Sequence, residues 1–103
     1  MEQPEFYINE HDHKIWYLPS KGKNYLHRLD GPAIEEAHGT KYWLVNGQRH
    51  RLDGPAIEFA DGSKHWCVNG QQLDSKEVES WLKENKVDLK TQEGQVAFKL
   101  RFV

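Results

Sequence analysis

Two windows of this chain are near copies of one another. Residues 27–49 read HRLDGPAIEEAHGTKYWLVNGQR and residues 50–72 read HRLDGPAIEFADGSKHWCVNGQQ, identical at 17 of 23 positions without a gap. Identity at a fixed period makes each window one supersecondary unit that buries its apolar face against its neighbour. A third, degenerate copy lies upstream, where Lys14-Ile15-Trp16-Tyr17-Leu18 aligns with Lys41-Tyr42-Trp43-Leu44-Val45 and with Lys64-His65-Trp66-Cys67-Val68. From Trp16 to His27 there are four more residues than from Trp43 to His50, so the loop around residues 21–25 is enlarged.

The turn chemistry inside a unit predicts a β-hairpin. Asn46-Gly47 and Asn69-Gly70 follow strand-like residues, and Asn-Gly takes the positive φ angles of a tight type I′ turn. His38-Gly39 and Asp61-Gly62 mark a second turn, and Asp-Gly-Pro precedes each Ala-Ile-Glu strand. Beyond residue 73 the period changes. Asp74 or Ser75 caps a helix of about 11 to 13 residues ending near Asn85-Lys86, with Glu77 completing a capping box and Val78, Trp81 and Leu82 on one face. Residues 95–103 alternate apolar and polar, and read as a final strand with Phe98, Leu100 and Phe102 on one face. The expected fold is mostly β: one domain over residues 1–103, with an antiparallel meander of about three stacked hairpin repeats at 14–72 and a helix-strand cap at 74–103. Open sheet edges, the last strand included, leave room for a homo-oligomer.

Composition narrows the function. Leu, Ile, Val and Phe supply only 23 residues, so four Trp must carry much of the core, with Trp16, Trp43 and Trp66 stacked at equivalent positions. Fourteen Lys and Arg against 16 Asp and Glu give a net charge of −2, which disfavours nucleic-acid binding. No apolar run spans a bilayer and the first residues are acidic where a secretory leader is basic, so a cytoplasmic chain without membrane contact is expected. The lone Cys67 excludes an intrachain disulfide and a multi-cysteine zinc site.

Comparing the copies separates scaffold from surface. Trp43 and Val45 alternate with Tyr42 and Leu44 along their strand. The Trp side barely changes between copies, whereas the other carries Ile15, Tyr17, Tyr42, Leu44, His65 and Cys67. Tyr17, Tyr42, Leu44 and His65 are therefore the candidate contact strip. Arg28 and Arg51 either hold an anionic ligand or pair with Glu35 and Glu58 across the same hairpin, the second needing no ligand. His27 with Asp30 and His50 with Asp53 could furnish a metal-dependent hydrolase, but a pair that recurs in every copy behaves as a turn device. His11-Asp12-His13 reads as a polar loop. No phosphate loop, nucleophile elbow or zinc helix occurs, so no enzyme and no cofactor is expected.

HRLDGPAIE, a Gly turn, K-x-W-x-V and NGQ together resemble the HRxDGPA repeats of small proteins carried by tailed bacteriophages and some bacteria, distantly similar to MORN-type hairpin repeats. The resemblance covers residues 14–72 and implies an interaction surface without a shared catalytic set. It suggests a phage-encoded accessory protein acting in the host cytoplasm, which binds and inhibits a host defence or regulatory protein. A protein sequestering a nucleotide-like signal between aromatic faces and Arg28 or Arg51 is the alternative.

Overall fold

The structure is a computed structural model and describes residues 2–103. Ten short strands and two helices follow one another among these residues: β1 (Glu5–Ile8), β2 (Lys14–Tyr17), β3 (Ile34–Glu35), β4 (Lys41–Tyr42), β5 (Leu44–Val45), β6 (Gln48–Arg49), β7 (Ile57–Glu58), β8 (Lys64–His65), β9 (Cys67–Val68), β10 (Gln71–Gln72), α1 (Ser75–Glu84) and α2 (Gln92–Phe102). Strands β1-β2-β3-β4-β7-β8 form a six-stranded antiparallel sheet, with β5-β6 and β9-β10 as two-stranded extensions. The mostly-β hairpin architecture read from the repeat is the architecture observed. Asn46 and Asn69 turn the two extensions at φ 53° and 51°, each followed by a Gly at positive φ.

The strands are short because the meander is interrupted at each HRLDGPA. Tyr17 bridges Leu26, Arg28 N–H donates to Leu44 O at 3.0 Å, and Ala33 N–H donates to Tyr42 O at 2.8 Å. Residues 26–28 and 33–35 therefore lie end to end between the same two neighbours while 29–32 leave the sheet. The next unit repeats this: Arg51 N–H donates to Cys67 O at 3.2 Å, Trp43 N–H donates to Ala56 O at 2.7 Å, and residues 52–55 loop out.

Register assigns the two faces. Lys14, Glu35, Lys41, Glu58 and Lys64 stand in one row across five strands, alternating in sign, so each charge faces its opposite on either side. The neighbouring row, Tyr7-Ile15-Ile34-Tyr42-Ile57-His65, points to the other face. A slip of one residue would exchange these rows, so the alternation holds the register firmly.

The core lies on the Trp face at the C-terminal end. Trp66, Val68, Val78, Leu89 and Phe98 form it, with Leu52, Leu73, Trp81, Leu82, Val87 and Phe102 packed around. Burying Phe98 and Val78, both fully enclosed, stabilises the fold by about 1.5–3 kcal/mol each. The Asp74 carboxylate accepts Glu77 N–H at 3.1 Å, so α1 starts where its capping residue predicts.

The tail departs from the expected strand: residues 92–102 are helix α2. Thr91 caps it by accepting Gly94 N–H at 3.0 Å, and Gly94 and Phe98 are buried with Phe102 half-buried, which is a four-residue spacing. Leu100, which an alternating strand would bury, is 83% exposed. An edge strand offered to a partner by this segment is thereby removed. The expected stack of three Trp also gives way: Trp66 is buried, while Trp16 and Trp43 are half-buried and each meets a different partner.

Candidate functional site

Each letter of HRLDGPA performs a local mechanical task. The Arg51 guanidinium lies 3.8 Å above the Trp43 ring, donates from Nε to Asp53 at 2.8 Å, and donates from Nη1 to Pro55 O at 3.0 Å and Glu58 at 2.7 Å. Arg28 repeats the arrangement over Trp16 at 4.2 Å, with Asp30 at 3.0 Å, Pro32 O at 3.2 Å and Glu35 at 3.7 Å. A Cβ on Gly31 or Gly54 would stand 2.7 Å from the guanidinium carbon, so a larger residue there pushes the guanidinium out of this position. Ala33 and Ala56 are fully buried beneath.

The histidines are equally committed. His27 Nδ1 accepts Asn46 N–H at 2.9 Å and His50 Nδ1 accepts Asn69 N–H at 3.0 Å, so each His secures the Asn-Gly turn that follows it. Accepting at Nδ1 requires a neutral ring, and burial, with Lys99 second, lowers the pKa of His50. His27 and His50 therefore work apart from Asp30 and Asp53, which serve the arginines.

The array also shows how it ends. Leu73 N–H donates to Trp66 O at 2.7 Å, the bond that His50 N–H makes to Trp43 O at 3.0 Å. The residue after Leu73 is Asp74 instead of Arg, and it caps α1. Phe98 of α2 then takes the place of the missing guanidinium, its ring centroid 5.8 Å from that of Trp66.

A cleft of about 500 Å³ opens between the two excursions, lined by Arg28, Asp30, Trp43, His50, Arg51 and Asp53 among others. Its two arginines face four carboxylates, those of Asp30, Glu35, Asp53 and Glu58, so no excess positive charge is left for a phosphate.

The candidate strip divides. Tyr42 and His65 stand in the Tyr7-to-His65 row, with Tyr17 two residues beyond Ile15 on the same face; all are half-buried, as is Leu44 in β5. Both helices pack on the Trp side, in the core around Trp66 and Phe98, while Ile57 and Cys67 are the buried residues of this side. Lys23 of the enlarged loop lies 4.9 Å from the Tyr7 ring, which meets Tyr17 edge-on at 5.8 Å, so loop and strip converge. Cys67 departs from the expectation of a variable surface: it is fully buried, and burial raises its thiol pKa.

One cluster joins residues that the sequence kept apart. The β2-β3 pairing sets Lys14 opposite Glu35, and so brings His13 beside Glu36 at the sheet margin. His13 Nδ1 is 3.8 Å from one Glu36 oxygen and His38 Nε2 is 3.8 Å from the other. The Asn9 side chain accepts the N–H groups of His11 and His13 at 2.9 and 3.0 Å, fixing the turn that carries His13. The strand pairing was the missing signal: Glu36 and His38 look like turn residues until β3 is laid against β2. No family model, curated protein or solved structure matches the chain.

Proposed function

We propose that the chain is a non-enzymatic protein-binding module whose contact surface is the tyrosine face of the sheet. The observation that carries this reading is a row of Tyr7, Ile15, Ile34, Tyr42 and His65, half-buried around a buried Ile57, on the face away from the Trp66–Phe98 core. Six strands at about 4.8 Å spacing give a row about 24 Å long, the span of a modest protein interface. Aromatic groups with a polar tip, which make up half of this row as Tyr7, Tyr42 and His65, are favoured in interface cores. The committed arginines support a protein partner over a nucleotide, since an anionic ligand would have to displace carboxylates already in place. No helix among the described residues is long and apolar enough to cross a membrane. On the resemblance of the repeats to those of phage-carried proteins, the partner we propose is a bacterial host protein of the defence or regulatory kind, met in the cytoplasm and inhibited by the contact.

The test is capture from host lysate by immobilised protein in three forms: native, Tyr42→Glu with His65→Glu, and Leu100→Glu on α2. A stoichiometric partner held by the native and Leu100→Glu forms, and lost about tenfold or more by the tyrosine-face variant, supports the reading. Capture indifferent to the tyrosine face, or no stoichiometric partner, overturns it. Calorimetry with a nucleotide panel that gave tight saturable binding would move the function to the cleft instead.

A further inference from the structure

We propose that His13, Glu36 and His38 form a binding site for a divalent transition-metal ion of the Zn²⁺ class. Donor atoms of the three side chains all lie within 4.8 Å of one another. Around a tetrahedral ion with bonds near 2.1 Å, ligand atoms stand about 3.4 Å apart, so three donors within 4.8 Å of one another, with one Glu36 oxygen serving, draw together by side-chain rotations. Two imidazoles and one carboxylate suit zinc and its neighbours far better than calcium or magnesium, which prefer all-oxygen shells. Three protein ligands leave the remaining position to water.

The repeat supplies an independent observation. The copies differ at six positions, and four of the residues found only in the first copy are Glu36, His38, Thr40 and Tyr42. Glu36 and His38 are the donors, and Thr40 Oγ1 sits 3.0 Å from His38 Nε2. Tyr42 stands opposite Ile34, two residues from Glu36 on the same face, and its phenol lies beside the Glu36 carboxylate. A partner such as Tyr42 holds a ligand in place in metal sites, whereas Thr40 occupies the His38 Nε2 that the ion takes and is displaced on loading. The turn itself does not demand these residues. The second copy keeps the same backbone bonds, Phe59 N–H to Ser63 O and Gly62 N–H to Phe59 O at 2.9 Å each, matching Glu36 to Thr40 and Gly39 to Glu36. It does so with Phe59 and Asp61 in place of Glu36 and His38.

That substitution provides the test. Tag-free native protein is titrated with Zn²⁺ by calorimetry, and with Co²⁺ by visible absorption, beside a Glu36→Phe, His38→Asp double variant carrying the residues the second copy tolerates. The expected result is one ion per chain, with affinity reduced about 100-fold or more and the Co²⁺ bands lost in the double variant. On the native protein, one equivalent of Zn²⁺ should shift the NMR resonances of the His13 and His38 rings and leave those of His27, His50 and His65 in place. Absence of stoichiometric binding, binding unaffected by the double variant, or ring shifts at other histidines would each overturn the assignment and leave the cluster as a surface ion pair.

Discussion

Substituting Arg51→Lys preserves the charge and removes the planar fork, which isolates what the guanidinium contributes to the repeat. Arg51 makes three polar bonds from two nitrogens held in one plane, to Asp53, Pro55 O and Glu58, while its flat face covers Trp43 at 3.8 Å. A lysine ammonium at the place of Nη1 can still reach Pro55 O and Glu58, but it loses the Nε bond to Asp53 and has no flat face to stack. One lost bond at about 1 kcal/mol and a lost stack at about 0.5–1 kcal/mol predict a destabilisation of about 1.5–2 kcal/mol. These are low-end values, chosen because Asp53 and Glu58 are 52% and 37% exposed and solvent screens them. In a domain of this size the melting temperature should fall by about 6–16 °C. Urea unfolding followed by Trp fluorescence gives the free energy directly, and Arg49→Lys, at an exposed position, serves as a control expected to stay within about 0.5 kcal/mol. Arg28→Lys should cost less than Arg51→Lys, because its contacts to Pro32 O and Glu35 are longer at 3.2 and 3.7 Å. An Arg51→Lys protein within about 0.5 kcal/mol of the parent, or an inverted order of the two arginines, would refute the guanidinium as the element that closes each unit.

Stability should also fall on mild acidification. The folded-state pKa of His50 is lowered below its ordinary 6.5 by burial and Lys99, so between the two values the unfolded chain binds the extra proton. Its contribution is complete above pH 6.5 and declines as pH falls toward the folded pKa; His50→Asn, which keeps an acceptor for Asn69 N–H and does not titrate, should flatten the slope of urea midpoint against pH. Phe98→Ala should cost about 3–5 kcal/mol by opening a cavity over Trp66, and Leu100→Ala should cost less than about 0.5 kcal/mol. Equal losses at the two positions would favour an alternating strand over helix α2.

How far the sequence could be read depended on whether the decisive contact was local. The Asn-Gly hairpins and the Asp74 cap are set by residues within a few positions of one another, and the structure places them where the local chemistry predicts. The tail was ambiguous because Phe98, Leu100 and Phe102 fit a period of two while Gly94, Phe98 and Phe102 fit a period of four. What resolves it is distant: Trp66 lacks an arginine to cover it, and a helix brings Phe98 onto that ring with Phe102 packed beside Trp81. The Trp stack failed for a related reason. Arg28 and Arg51 precede their Asp-Gly-Pro turns by only a few residues, so each guanidinium closes over a Trp before a second indole can approach. The tyrosine strip was legible from strict alternation, whereas the His13–Glu36–His38 cluster depends on which strand lies beside β2.

Repetition changes what identity between motifs means. HRLDGPA is the most chemically suggestive string in the chain, and it is the string that both regular copies share in full. A demand met by every copy is one that every copy has, and here it is to roof a Trp with Arg and to secure an Asn-Gly turn with His. Residues that serve the whole molecule only once should lie among the six differences. Four of those gather around Glu36. The other two are cross-strand partners, Leu44 opposite Arg49 in the first copy and Cys67 opposite Gln72 in the second, so they vary as one packed pair. With that pair accounted for by packing, the Glu36 group is what distinguishes the first copy from the second. It borders the face through Tyr42, so the residues of the proposed metal site also shape the proposed contact surface.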